Sequence, residues 1–129
     1  MRNARAVMRI VWTVALATPL FAHHSTAAYD NTKVVTIKGV VTSLDFRNPH
    51  VRLRVDVPNA GGKMVNWDIE TWGAGQMSLR GLTNGFVKPG DRVSIDVFAS
   101  KDGSPKAFVR VLTLPDGTVV DGPPADSRN

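Results

Sequence analysis

Cysteine is absent from the 129 residues, which excludes disulfides, thiolate metal sites and a cysteine nucleophile. Histidine occurs three times, so imidazole chemistry is confined to His23, His24 and His50. No Gly-x-Ser-x-Gly elbow is present, and Gly61-Gly62 reads as a hairpin turn rather than a phosphate loop. Ser25, His24 and Asp30 lie too close in sequence to form a nucleophilic triad. No catalytic constellation emerges, and the reading is of a binding protein rather than an enzyme. Long hydrophobic runs are lacking too. The apolar stretch over residues 10–21 is shorter than the ~20 residues that span a bilayer.

That stretch follows Arg2, Arg5 and Arg9 and ends at the small residue Ala22, the layout of a secretory signal. Cleavage after Ala22 divides the chain into a signal peptide (1–22), one domain (23–120) with an N-terminal arm over 23–33, and a flexible tail (121–129). Cuts after Ala17 or Ala27 are the alternatives. No stable transmembrane segment then remains, and the expected location is periplasmic or secreted. The excess of positive charge is largely the signal's. With its three arginines gone, 13 Lys and Arg face 11 Asp and Glu, a net of +2 instead of the +5 of the whole chain. A polyanion-binding argument from charge fails. Charge and export together give an expectation of no nucleic-acid partner.

What is present is alternation. Residues 34–46 read as a first strand with Val35 and Ile37 on one face and Val40, Thr42, Leu44 and Phe46 on the other parity, the phase slipping at Gly39. Residues 50–57 place Val51, Leu53, Val55 and Val57 inward and His50, Arg52, Arg54 and Asp56 outward. Met64–Glu70 buries Val65, Trp67 and Ile69 and exposes Asn66, Asp68 and Glu70. Residues 75–82 lack alternation and suggest a short helix. Two more strands follow at 92–99 and 106–114, with Val93, Ile95 and Val97 inward, and a small hairpin strand at 118–120. The expected fold is all-β with one short helix: an OB-fold-like five-stranded Greek-key barrel, with a small β-sandwich as the alternative.

Several motifs run through this pattern: Ala22-His23-His24-Ser25, Tyr29-Asp30, Asn48-Pro49-His50, Trp67-x-x-Glu70, Lys88-Pro89-Gly90-Asp91 and Asp102-Gly103-Ser104-Pro105. As an ordered set they resemble a family of small exported bacterial proteins catalogued as domain of unknown function 6152. The resemblance implies a secreted or periplasmic bacterial protein and no assigned activity.

Pairing through the 58–62 turn with positions summing to about 120 sets Arg54 opposite Asn66, Arg52 opposite Asp68 and His50 opposite Glu70; a slip of two residues preserves the same outward face. Arg52, Arg54 and Asp68 read as exposed ion pairs worth under about 1 kcal/mol each. His50 and Glu70 stand at strand ends beside the rim where OB-folds bind ligands. Export that ends at Ala22 would leave a free amine on His23 with His24 beside it, a chelating pair. His23, His24, His50 and Glu70 are thus the candidate metal ligands, with copper favoured and zinc or nickel alternative, since imidazole, amine and carboxylate suit those ions. Asn48, Arg52, Arg54, Asp68 and Trp72 form a candidate ligand or partner rim. Without a metal, the rim would serve an envelope protein, a glycan or a small molecule of unknown identity. Trp72 and Phe98 are the aromatics expected outside the core.

Overall fold

Val34, Val35, Thr36, Ile37, Val40, Val41 and Thr42 make the first strand rich in β-branched residues, which favour extended backbone. In the computed structural model, which describes residues 26–122, this strand is β1 (Tyr29–Asp45), preceded by a 3-10 turn at Thr26–Ala28. Then come β2 (Arg52–Pro58), β3 (Met64–Glu70), α1 (Ala74–Leu79), β4 (Arg92–Ser100), β5 (Lys106–Thr113) and β6 (Val119–Asp121). His23 and His24 lie outside the described residues, as do the segment expected to be a signal and residues 123–129. Among the described residues, no helix is long and apolar enough to cross a membrane.

The sheet runs in the order β3-β2-β1-β4-β5-β6 and closes by a parallel pairing of β3 with β5, from Asp68↔Lys106 to Glu70↔Phe108. Three strands, a helix and two strands, with closure between β3 and β5, make the OB-fold barrel expected from the sequence; β6 extends the sheet beyond β5. A two-sheet sandwich does not describe this closed ring.

β1 serves two neighbours. Its first half pairs with β4 (Val34↔Phe98 through Val40↔Arg92) and its second with β2 (Val40↔Asp56 through Asp45↔Arg52). At the crossing, a Cβ on Gly39 would fall on the carbonyl oxygen of Asp56 and 2.7 Å from Val55 Cγ1, so close approach of β2 demands glycine there. The slip in phase lies further on than the alternation predicts. Val41 is buried, Thr42 is exposed, and the register shifts between Val41 and Ser43. Two devices that the sequence reading merged at one residue are separate: Gly39 admits the neighbouring backbone, and the bulge at Thr42 reverses the faces.

The barrel interior holds Leu53, Val55, Ile69, Ile95, Val97, Val109 and Leu112, all nearly inaccessible to solvent. α1 closes one end by placing Met77 against Val51 and Leu82, while Leu79 is 85% exposed. Phe98 is a correction. Expected outside, it is buried, because it is flanked on both sides by its register partners, Val34 of β1 and Phe108 of β5.

Candidate metal centre

Where α1 meets the barrel rim, the chain between β1 and β2 is held by specific contacts. Ala74 N–H donates to Arg47 O and Gly75 N–H to Asn48 Oδ1, each at 3.3 Å. The Asn48–Pro49 peptide is cis. Gly73 packs against this loop so closely that a Cβ would come within 2.6 Å of both Asn48 Oδ1 and Pro49 O. Val51 then pairs with the two residues that follow β3, donating to Trp72 O at 2.7 Å and accepting from Thr71 N–H at 2.9 Å. His50, between the packed loop and this pairing, is therefore fixed at its backbone.

Its ring is fixed as well. Nδ1 lies 3.0 Å from the carbonyl oxygen of Thr71; a carbonyl only accepts, so Nδ1 carries the proton and donates. In the neutral ring Nε2 is then a lone-pair donor. It faces Glu70 Oε1 at 3.6 Å. The other carboxylate oxygen, Oε2, accepts a hydrogen bond from the Tyr29 hydroxyl at 2.7 Å. Burial first, and then the hydrogen bond and negative charge of Glu70, push the Tyr29 phenol well above its usual range. The phenol stays protonated and continues to donate. The ring packs on Phe108 at a centroid distance of 6.0 Å.

The β2–β3 register is two residues from the pairing first expected: Arg52 stands opposite Glu70 and Arg54 opposite Asp68. Even so, two of the three expected side-chain pairs form, reached diagonally, whereas Asn66 donates to Asp56 and Thr42 instead of meeting Arg54. Arg52 gives Asp68 two hydrogen bonds (3.2 and 2.9 Å), and His50 meets Glu70. Twist brings such diagonal neighbours within reach of long side chains. Arg54 adds a third contact to Asp68 at 3.3 Å. Asp68 itself corrects the alternation: it is buried, because two guanidiniums cover it and its strand is closed against β5, with Asp68 N–H donating to Pro105 O at 2.9 Å.

The remaining rim residues are already engaged. Asn48 holds α1, and Arg80 lies 4.2 Å over the Trp72 ring, taking a face that a stacking ligand would need. Among the described residues no group of three or more His, Cys, Asp or Glu side chains is placed to hold a metal. The described part of the centre is the pair His50 and Glu70. Sequence reasoning missed three contributors: the carbonyl of Thr71, the bare Cα of Gly73, and Tyr29. The last had a signal, being the chain's only tyrosine just before the first strand.

Fold and rim together define a small OB-fold barrel with a histidine–carboxylate pair beside its helix-capped end. The chain belongs to the family of unknown function DUF6152, whose family model matches residues 11–109. No curated protein matches it. Two crystal structures of the mitochondrial single-stranded DNA binding protein Rim1 of S. cerevisiae, one selenomethionine-labelled, are similar in fold. Both are 12% identical, with TM-scores of 0.47 and 0.44; the similarity covers 70% of this chain and 96% and 97% of theirs. The expectation of no nucleic-acid partner is corrected here: the solved structures similar in fold are named as single-stranded DNA binding proteins.

Proposed function

We propose that the protein is an exported, periplasmic or secreted module that binds a transition metal, copper favoured, through His50, Glu70 and the N-terminal histidines His23 and His24. One observation carries this reading. With Nδ1 committed to Thr71 O, the other ring nitrogen of His50 faces a carboxylate oxygen 3.6 Å away, and without a proton that nitrogen is an acceptor too. Two acceptors facing each other call for a cation between them. Donors about 2.0–2.1 Å from one shared ion stand roughly 2.9 Å apart at a right angle and about 3.4 Å apart at the tetrahedral angle, so a small rotation of Glu70 closes the pair on a first-row ion.

Two further features support it. Tyr29 brings the N-terminal arm to Glu70. From Tyr29 back to His24 is five residues, a reach of at most about 18 Å. A processed chain starting at His23 would add an amine and two imidazoles, and that all-nitrogen-and-oxygen set with His50 and Glu70 suits copper(II), zinc or nickel. The competing occupant of the gap is a proton, which would make His50 and Glu70 a simple ion pair.

Copper(II) titration of the natively exported protein distinguishes the two occupants. Tight binding of one ion, weakened by at least the 10–100-fold that even outer partners of a ligand cost in both His50→Ala and Glu70→Gln, is the expected result. Binding unchanged in both variants would leave the pair with its proton and refute the metal assignment.

A further inference from the structure

Resting on the metal reading above, we infer that Tyr29 is the positioning residue of the site: its hydroxyl fixes which Glu70 oxygen meets the ion, and its ring, packed on Phe108, holds that hydroxyl in place. A free carboxylate has two equivalent oxygens and can present either or both to an ion. Here Oε2 is taken by the Tyr29 hydroxyl at 2.7 Å, and Oε1 is left facing His50 Nε2 at 3.6 Å. Glu70 is thereby held as a one-oxygen ligand directed at the imidazole. An outer donor to a ligating carboxylate normally has this effect.

The same side chain joins three elements. Tyr29 begins β1 and pairs with Ser100 of β4, while the neighbouring Ala28 carbonyl accepts from Lys101 N–H at 3.0 Å. The Tyr29 ring rests on Phe108 of β5, and Phe108 is the register partner of Glu70 in the β3–β5 closure. The arm is thus seated beside Glu70 by backbone pairing and by ring packing, and the hydroxyl is the only part of Tyr29 that acts on the carboxylate. Hydroxyl and ring can be separated by substitution.

Tyr29→Phe keeps the ring on Phe108 and removes the hydroxyl. In the full exported chain, titrated with copper(II) sulfate against a competing chelator, it should weaken binding by about 10–100-fold. The copper(II) electron paramagnetic resonance spectrum should change as well, because Glu70 is freed to use both oxygens. In a Glu70→Gln background the same substitution should have no further effect on affinity, a coupling that a merely structural role would not produce. A wild-type protein that binds copper tightly, with Tyr29→Phe matching its affinity and spectrum, would overturn the positioning role and leave the metal reading standing. A wild-type protein that takes no tight copper would overturn both.

Discussion

Asp68 accepts two hydrogen bonds from the Arg52 guanidinium and pairs with that of Arg54 while only 9% of its side chain is exposed, and both arginines keep about half of theirs in water. Removing the acid leaves partners that water can still solvate, so the loss is that of the charged hydrogen bonds alone. Asp68→Ala should destabilise by about 2 kcal/mol. Urea unfolding measures this, and a loss below ~0.5 kcal/mol would show that the network is no more than a surface pair. Tyr29 gives a second test at this scale. Its raised pKa means that the folded state holds the proton more tightly than the unfolded chain. Its stabilising contribution is fully present below pH 10 and is lost as pH rises through the folded value. As the only tyrosine, it alone produces the phenolate absorbance, which should appear in the folded protein well above pH 10. His50 and Glu70 were legible as a pair from parity and strand ends. The burial of Asp68 was not, since it depends on β5 arriving from 38 positions away in the register pair Asp68↔Lys106.

Glycines set the geometry at the scale of the elements. Gly73 and Gly75 flank the start of α1 and make opposite demands. A Cβ at 73 strikes the Asn48–Pro49 loop, whereas one at 75 meets nothing within 4 Å. Gly73→Ala should cost about 1–3 kcal/mol through overpacking and should also lower copper affinity, because the displaced loop carries His50. Gly75→Ala should be neutral or stabilise by up to about 1 kcal/mol through helix propensity. Thermal melts of the two variants check this; equal effects would contradict the packing assigned to Gly73. The helix and all the strands were readable from periodicity and turns, because alternation reports burial directly. The place of the bulge was not: the glycine in β1 was a stronger local signal than Thr42, but it answers a steric demand from Asp56 that only the folded sheet imposes.

At the scale of the whole molecule, a barrel without disulfides depends on its turns and core, and the β4–β5 turn carries a pH signature. Asp102 accepts from the Ser104 hydroxyl and backbone N–H and from the Ser100 hydroxyl, which lowers its pKa from 3.8 to about 2. A lowered pKa stabilises the fold above the unfolded value and ceases to do so as pH falls through the folded one. Stability should therefore decline as pH drops from 3.8 toward about 2, and Asp102→Asn should flatten part of that decline in acid unfolding curves; an unaltered acid limb would contradict the turn's role. Fold and family were legible in the chain because strand order and ordered motifs are sequence properties. The binding site was legible only in part, since two of its four proposed ligands, His23 and His24, lie outside the described residues. The most direct measurement is the intact mass of the natively exported protein, followed by copper titration of that same sample. The account predicts a chain beginning at His23 that binds one copper tightly; a chain beginning at Thr18 or Ala28, or one beginning at His23 without tight copper, would contradict it.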